Sequence, residues 1–350
     1  MSYIRPSFRH PLLPKNEVGF TKADYEGVIS TLCAGCGHDS VSGAIVRACY
    51  EMAIEPHRVA KLSGIGCSSK TPTYFLRQSH GFNTVHGRMP SVATGAYMAN
   101  RDLIYVGVSG DGDSASIGLG QFVHAIRRNL NIVYILMNNG CYGLTKGQHS
   151  ATADEGSKTK DGVSNPFPAI DLASMALELG ATFVGRSFSG DKTQLIPLIQ
   201  AAISHPGFAF LDVLSPCVTF NNKPSSTKSY DFVRAHQEAT STIDFVPHKK
   251  EILTNYAAGD AKQVKLHDGS YVQLRKLAAN WDPTDRSSAM DRIRSAKSND
   301  EILTGLLYID QESRDLHELE QTVSRPLNSL TEVDLCPGSK ALEKINAAFR

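Results

Sequence analysis

Two segments rich in glycine and side-chain oxygen each follow an apolar run. Leu103–Ser109 (LIYVGVS) ends at Gly110-Asp111-Gly112-Asp113, and Ile132–Met137 (IVYILM) ends at Asn138-Asn139-Gly140. The helical stretch between them is long enough to return the chain for a parallel strand. Asp111 and Asn139 would then lie at the same ends of neighbouring strands, where open α/β sheets bind ligands. Their oxygens suit a divalent cation that keeps other coordination positions for phosphate oxygens. The glycines allow the backbone to approach a charged group closely. The pattern predicts a diphosphate held through Mg²⁺.

The same pattern has a simpler interpretation, an ordinary βαβ unit whose Asp and Asn are turn residues. A single GDG motif matches often by chance, whereas two strand-end signals separated by one crossover helix are more specific. If the spacing shifts by one residue, Asn138 takes the place of Asn139.

Composition excludes several classes of protein. The 350 residues carry a formal net charge of +1, which creates no field for nucleic acid or an anionic membrane. No apolar run approaches the ~20 residues that span a bilayer, and the N-terminus (MSYIRPSFRHPLLPKNE) lacks the apolar core of a secretory signal. We therefore expect a cytoplasmic protein. In that compartment the seven cysteines indicate metal binding, catalysis or burial rather than disulfides.

Strand and helix patterns alternate from Cys33 to about Ser215. Strands are expected at Val59–Ser63, Asn83–His86, Leu103–Ser109, Ile132–Met137, Thr182–Gly185 and Phe208–Leu214, and helices at Asp39–Ala53, Ser91–Asn100, Ser114–Asn129, Ile170–Leu179 and Lys192–Ser204. Because the strands are almost continuously apolar, both faces of the sheet should be covered. The fold class is therefore predicted as α/β, a doubly wound and mostly parallel sheet.

The flanking regions differ in character. Residues 1–30 read as an irregular arm, residues 31–235 as the α/β domain, and residues 236–350 as a C-terminal extension. In the extension, Val264–Leu274 predicts a hairpin around Asp268-Gly269, and the last ~70 residues predict one or two amphipathic helices and a tail. Gly147–Pro168 is a long polar loop of the kind that often forms a lid.

Four cysteines fall at predicted loops or strand ends on the side of the diphosphate motif. They are Cys33 and Cys36 in CAGCGH, Cys67 in GIGCSSK, and Cys217 in SPCV. Cys49 and Cys336 lie in a predicted helix and in the charged tail, where burial or chance explains them. A redox pair would need only the two cysteines of the CxxC motif. A zinc site usually takes two close pairs of ligands, whereas a [4Fe–4S] cluster accepts thiolates from separate loops. The spacing of the cysteines alone does not decide between these three chemistries and a chance arrangement.

Taken together, the motifs narrow the possibilities. GDG followed by NN resembles the thiamine-diphosphate enzymes, and CAGCGH, GIGCSSK, HGRMPSVATG, GDGDSASIGLGQ, NNGCYGLTKGQ and SPCVTFNN together resemble the β subunit of 2-oxoacid:ferredoxin oxidoreductases over about residues 28–235. The resemblance implies a thiamine-diphosphate (pyrophosphate-domain) fold and CoA-dependent oxidative decarboxylation of a 2-oxoacid. It also implies thiamine diphosphate, Mg²⁺ and one [4Fe–4S] cluster that passes electrons to ferredoxin.

The resemblance assigns roles to individual residues. Cys33, Cys36, Cys67 and Cys217 would ligate the cluster, and the side chains of Asp111 and Asn139 with the carbonyl of Cys141 would hold Mg²⁺. Further contacts to the cofactor are expected from Gly66, Cys67, Ser68, His86, Gly110, Gly112, Asp113, Gly143 and Leu144. Lys70, His86, Arg88, Leu144 and Lys146 are the candidate catalytic or substrate-contacting residues. His38 is expected to be structural, at the start of a helix.

The resemblance favours 2-oxoglutarate as substrate, with pyruvate and other 2-oxoacids as alternatives. Thiamine diphosphate chemistry also needs a carboxylate against the aminopyrimidine ring, and no second α/β domain follows residue 240 to supply it. We therefore expect a partner α subunit, in a heterodimer that pairs into a heterotetramer. Two alternatives stay open: a non-redox thiamine-diphosphate decarboxylase or synthase subunit with zinc or free thiols, and a non-catalytic electron-transfer or scaffold subunit.

Overall fold

A computed structural model of the chain describes residues 13–159, 161–220, 253–265, 271–299, 301–336 and 338–349. In these ranges one nine-stranded sheet organises the fold, beside a two-stranded ribbon formed by β5 and β6. The strands are β1 Val59–Ser63, β2 His80–Asn83, β3 Ile104–Gly110, β4 Ile132–Asn138, β5 Cys141–Tyr142, β6 Gln148–His149, β7 Phe183–Phe188, β8 Phe208–Leu214, β9 Ala261–Lys265, β10 Tyr271–Lys276 and β11 Ile302–Ile309.

The strand order is β2-β1-β3-β4-β8-β7-β11-β10-β9. Neighbours from β2 to β7 are parallel. β11 then runs antiparallel to β7, β10 parallel to β11, and β9 antiparallel to β10. The chain leaves β1 for β2 on one side and returns to β3 on the other, so a topological switch point lies between β1 and β3.

Helices cover both faces of the sheet. Their bounds are α1 Gly37–Glu51, α2 Met89–Ala99, α3 Leu119–Arg127, α4 Leu172–Glu178, α5 Lys192–Ser204, α6 Arg286–Ser298, α7 Leu316–Leu319, α8 Glu332–Leu335 and α9 Gly338–Ala348. One apolar core includes side chains of α1 and α5, and the other includes side chains of α2, α3, α4 and α6. Every residue of β8 is buried, as expected for a strand covered on both faces. The predicted α/β, doubly wound, mostly parallel fold is confirmed.

Several predicted elements need correction. β1, β8 and α5 have the predicted bounds, but β2 lies at His80–Asn83 rather than at Asn83–His86. All four β2 residues are exposed at the sheet edge, so burial left no apolar signal to mark the strand. The helix predicted at Ser114–Asn129 is divided into a π-helical turn, Gly112–Ile117, and α3. It breaks at Gly118, whose backbone packs against Gly87 closely enough to exclude a Cβ.

The C-terminal extension joins the same sheet. β9 and β10 pair antiparallel, as the predicted hairpin requires, while its turn at Asp268-Gly269 lies outside the described residues. The last ~70 residues do contain helices, as predicted, but the prediction missed β11, which lies in the sheet between β7 and β10. In the described part of the chain, no helix is both long and apolar enough to cross a bilayer.

Candidate cofactor site

The loops that follow β1, β3 and β4 surround a cleft at the carboxyl edge of the sheet. The cleft encloses about 500 Å³ of space that includes open solvent. Its lining residues are His38, Ile65, Gly66, Cys67, Ser68, His86, Gly110, Asp111, Gly112, Asp113, Asn139, Cys141, Tyr142, Gly143, Leu144 and Thr145. The site therefore lies beside the switch point, where α/β sheets bind ligands.

Asp111 is the most deeply buried acidic side chain of the cleft, with 1% exposure. Its Oδ1 accepts the backbone N–H of Asn139 at 3.2 Å. Its Oδ2 accepts the hydroxyl of Thr152 at 2.8 Å and that of Ser150. In the described part of the chain Asp111 has no ion-pair partner. A buried carboxylate without a cation is costly, so this donor set fits a bound divalent cation.

The two asparagines after β4 face different ways. Asn139 lines the cleft, and its Oδ1 accepts the backbone N–H of Cys141 at 3.1 Å. Asn138 donates from Nδ2 to Oδ1 of Asp212 at 3.1 Å and lines a separate cavity. Of the two residues, Asn139 therefore has the position that the sequence analysis preferred for a Mg²⁺ ligand.

Asp113 forms hydrogen bonds to the loop after β1 and to the loop after β2. Its Oδ1 accepts from the backbone N–H groups of Gly87 at 2.7 Å and Ile65 at 3.3 Å, and lies 2.5 Å from Nδ1 of His86. Its Oδ2 accepts the hydroxyl of Ser109 at 2.7 Å. This carboxylate lines the cleft, but its hydrogen bonds fix neighbouring loops. When Nδ1 of His86 donates to it, Nε2 is left as an acceptor.

Close backbone approach makes two glycines of the site necessary. A Cβ at Gly64 would lie 1.8 Å from Oδ2 of Asp113, and one at Gly112 would lie 2.4 Å from the Tyr142 ring. The Tyr142 hydroxyl also donates to the carbonyl of Gly112 at 3.2 Å. Any side chain at these glycines would push the Asp113 loop or the Tyr142 loop out of the site.

Ser68 adds an unpaired donor. Its hydroxyl oxygen is buried and has no hydrogen-bond partner among the described residues. A Cβ at Gly110 would lie 3.2 Å from that oxygen, so the hydroxyl is adjacent to the GDG backbone. Buried polar groups are nearly always paired, so an orphaned hydroxyl that lines the cleft fits a ligand with oxygen acceptors.

The four predicted cluster cysteines gather beside this cleft. A Cβ at Gly143 would lie 3.5 Å from Sγ of Cys67 and 3.8 Å from Sγ of Cys217. The Thr219 hydroxyl lies 3.5 Å from Sγ of Cys33. The backbone N–H of Gly37, directly after Cys36, donates to the carbonyl of Pro216 at 3.2 Å.

Protonation differs among these thiols. Burial raises the pKa of Cys36 and of Cys67. Hydrogen bonding, first from Cys141 and then from the backbone after Cys217, lowers the pKa of Cys217 to about 7. Within the described ranges, no three His, Cys, Asp or Glu side chains converge on one ion position. A cubane cluster does not require such convergence, because its iron atoms take thiolates from separate loops.

The basic side chains predicted to contact the substrate differ in solvent exposure. Lys70, in the turn Ser68–Thr73, is half-buried and close enough to Cys67 to favour its thiolate. Arg88 is exposed at the start of α2, and Lys146 is exposed with a φ of 82°. Leu144 lines the cleft with half of its surface exposed.

Sequence reasoning overlooked some residues at the site. Ser150 and Thr152, in the long polar loop, hold Asp111, although nothing in their spacing marks them. His38 was expected to be structural, and its Nδ1 does lie 2.5 Å from Oγ of Ser215, but its ring also lines the cleft. Burial lowers the pKa of His38 to about 4.

Comparison with known proteins identifies the class of the domain that carries the cleft. The family model described as the thiamine pyrophosphate enzyme C-terminal TPP-binding domain matches residues 64–213. The fold therefore belongs to the thiamine-diphosphate-binding class, and every lining residue of the cleft except His38 lies within the matched range.

Individual relatives define the family more narrowly. The chain is 43% identical over 194 residues to the 2-oxoacid:ferredoxin oxidoreductase subunit beta of Sulfolobus sp.. The aligned residues make up 54% of this chain and 63% of the Sulfolobus protein. The chain is 38% identical over 211 residues to the 2-oxoglutarate synthase subunit KorB of Methanocaldococcus jannaschii, covering 59% and 76%. The chain belongs to the family of 2-oxoacid:ferredoxin oxidoreductase β subunits.

A solved structure supports the same relationship. The 2-oxoglutarate:ferredoxin oxidoreductase from Magnetococcus marinus, determined with 2-oxoglutarate, coenzyme A and succinyl-CoA bound, matches with a TM-score of 0.69 and 32% identity. The match covers 86% of this chain and 89% of the solved one. It therefore includes described parts of the C-terminal extension as well as the domain that carries the cleft.

Proposed function

We propose that this chain is the β subunit of an enzyme that converts a 2-oxoacid and CoA to an acyl-CoA and CO₂, and that passes the electrons to ferredoxin. The observation that carries the proposal is the position of Gly143. A Cβ there would lie within 3.8 Å of Sγ of both Cys67 and Cys217, and Gly143 belongs to the same short segment as Asn139 and Cys141. One segment of five residues therefore joins a candidate cofactor site to a candidate cluster site.

The residues of the cleft fit the proposed cofactors. Mg²⁺ would be held by the side chains of Asp111 and Asn139 and by the carbonyl of Cys141, with the diphosphate against the backbone of Gly110 and Gly112. Asp111 is buried and has no cationic side chain as ion-pair partner among the described residues, which supports this assignment. Cys33, Cys36, Cys67 and Cys217 would ligate one [4Fe–4S] cluster.

When bound, thiamine diphosphate supplies a carbanion and an electron sink, and the cluster supplies one-electron transfer. This chain orients and shields the reacting groups. Asp113 fixes the His86 ring through Nδ1, so that Nε2 is available as a hydrogen-bond acceptor for a group bound in the cleft. Leu144 gives the cleft an apolar wall. Lys70, Arg88 and Lys146 are the cations proposed to contact anionic groups of the 2-oxoacid or CoA.

We propose 2-oxoglutarate as the substrate, with succinyl-CoA as product. The KorB relatives and the ligands named for the Magnetococcus marinus structure support it. Lys70 is proposed to contact the distal carboxylate, because it lies half-buried beside the cluster-ligand loop. Pyruvate and other 2-oxoacids are the competing substrates in the test below.

We also propose a partner α subunit, in an αβ pair that doubles to a heterotetramer, with residues 31–235 as the cofactor domain and residues 236–350 as an extension. Exposed apolar side chains around the cleft support a docking surface: Ile65, Val85, Ile117 and Leu144 are between 38% and 75% exposed. None of the seven cysteines, all of which lie in the described ranges, forms a disulfide, which supports a reducing cytoplasmic location.

The test is an anaerobic assay of the full-length chain co-expressed with its α subunit. We expect reduction of a low-potential acceptor that depends on CoA and is fastest with 2-oxoglutarate, together with iron and sulfide in the protein. A colourless, zinc-containing protein would instead indicate the non-redox alternative. CoA-dependent decarboxylation by the chain alone would contradict the need for a partner. Lys70→Ala should raise KM for 2-oxoglutarate more than for pyruvate, and equal effects would count against its role.

A further inference from the structure

Two hydroxyl groups from the polar loop Gly147–Pro168 hold the proposed Mg²⁺ ligand. Ser150 and Thr152 both donate to Oδ2 of Asp111, with the Thr152 contact at 2.8 Å. The two hydroxyls are 3.1 Å apart, and both residues are buried. The orientation of the Asp111 carboxylate therefore depends on a loop that follows it in the chain by about forty residues.

Thr152 also meets a second polar group. Its Oγ1 lies 3.0 Å from Oδ1 of Asn138, and Nδ2 of Asn138 donates to Asp212 at 3.1 Å. Nε of Arg186 donates to the other oxygen of Asp212 at 2.9 Å. Thr152 is therefore the junction between the cleft carboxylate and a buried ion-pair network.

Three oxygens lie within reach of the Thr152 hydroxyl, Oδ2 of Asp111, Oδ1 of Asn138 and Oγ of Ser150, and its chemistry favours donation to one of them. A hydroxyl carries a single hydrogen, and hydrogen bonds to charged acceptors are stronger than those to neutral ones. The proton is therefore expected on the Asp111 side. There it restrains Oδ2 and leaves lone pairs of the carboxylate for a cation.

We propose that Thr152 is a positioning residue for the cation site: its hydroxyl fixes the Asp111 carboxylate, and so sets the affinity for Mg²⁺ and, with it, thiamine diphosphate. This inference rests on the proposed function. Groups that orient metal ligands typically change metal affinity by ~10–100-fold when they are lost. Because Ser150 still binds the same oxygen, the lower end of that range is expected for Thr152 alone.

The experiment uses the full-length chain purified with its partner subunit. Thiamine diphosphate binding is titrated with Mg²⁺ by calorimetry for wild type, Thr152→Val and Thr152→Ser. The matched control is Thr182→Val, which also removes a buried hydroxyl, one that donates to Asn129 at 2.8 Å. We expect valine at 152 to raise the Mg²⁺ concentration for half-saturation about tenfold, while the serine variant and the control behave as wild type.

The outcomes separate the two proposals. Wild-type affinity in Thr152→Val, or an equal loss in Thr152→Ser, would overturn the role of the hydroxyl. If Thr152→Val does not fold, Ser150→Ala removes the other donor to the same oxygen and is expected to weaken Mg²⁺ binding. Wild-type affinity in Ser150→Ala would then overturn the inference. Failure of the wild type itself to bind thiamine diphosphate with Mg²⁺ would overturn the proposed function instead.

Discussion

Two carboxylates buried near the same end of the sheet differ in their partners. Asp111 follows β3 and Asp212 lies in β8, the two strands that flank β4, and their exposures are 1% and 2%. Asp212 pairs with the Arg186 guanidinium at 2.9 Å, and Arg186 also binds Asp171. Among the described residues, Asp111 has hydroxyl and N–H donors but no cation.

The difference distinguishes a structural charge from a binding charge. Burying a charge costs several kcal/mol unless an opposite charge accompanies it. Burial itself disfavours charge on Arg186, yet Asp171 and Asp212 together raise the pKa of its guanidinium, so the chain itself supplies the cation that these two carboxylates share. In the described part of the chain the Asp111 site has no positive charge, and a bound Mg²⁺ would supply one.

Replacing the unpaired carboxylate is expected to have the largest functional effect. Asp111→Asn removes the negative charge that Mg²⁺ would use, so CoA-dependent turnover by the αβ enzyme should fall by about a thousandfold, equivalent to ~4 kcal/mol. The exposed Asp102→Asn is the control and should retain full activity. Near-normal turnover by Asp111→Asn would contradict the role of Asp111 as a charge that binds Mg²⁺.

Breaking the cluster of Asp171, Arg186 and Asp212 should instead lower the free energy of unfolding. Arg186→Met leaves Asp171 and Asp212 buried without their common cation, and such losses typically cost about 3–5 kcal/mol. Urea denaturation of the full-length chain measures this loss. A change of less than about 1 kcal/mol would show that the ion pairs are not what neutralises these carboxylates.

His205 is a buried group of a third kind, because burial keeps its imidazole neutral. We therefore expect the free energy of unfolding to depend on pH. Burial lowers the pKa of His205 to about 4, although Asp310 opposes the shift. The unfolded chain, with a histidine pKa of about 6.5, therefore binds the proton first. His205 should contribute its full stability above pH 6.5 and lose about 1.4 kcal/mol per pH unit as the pH falls towards 4.

The measurement is the free energy of unfolding as a function of pH. His205→Gln should show a shallower decline than wild type between pH 6.5 and 4 because it lacks this titration. The exposed His57→Gln is the matched control and should retain the wild-type slope. Identical slopes for His205→Gln and wild type would mean that burial does not keep His205 neutral.

Much of the fold could be predicted because burial leaves a periodic apolar pattern. β8 and α5 have their predicted bounds, since each is apolar where it packs and ends at polar or turn residues. β2 is an exposed edge strand without such a pattern. β11 was missed because its place depends on pairing with β7, more than a hundred residues earlier in the chain.

The candidate site was predictable where ligand chemistry imposes residue types. Asp111, Asn139, Cys36 and Cys67 stand directly beside a glycine, Cys217 follows β8 by three residues, and Cys33 forms a CxxC motif with Cys36, so local motifs identify them. Ser150 and Thr152 could not be found in this way, because many loop hydroxyls look alike in sequence. Only folding shows which of them reaches Asp111. The role of Asp113 in fixing His86 and the Gly87 backbone likewise depends on tertiary contacts.

The most direct test of the comparison is the free energy of unfolding of the metal-free, full-length chain carrying Asp111→Asn or Asp212→Asn. If Asp111 is a binding charge and Asp212 a structural one, Asp111→Asn should leave the stability unchanged or raise it, because an unpaired buried charge is removed. Asp212→Asn should lower it by about 3 kcal/mol, because Arg186 loses part of its neutralisation. Losses of similar size in both variants would contradict the account, because Asp111 would then be a structural charge as well.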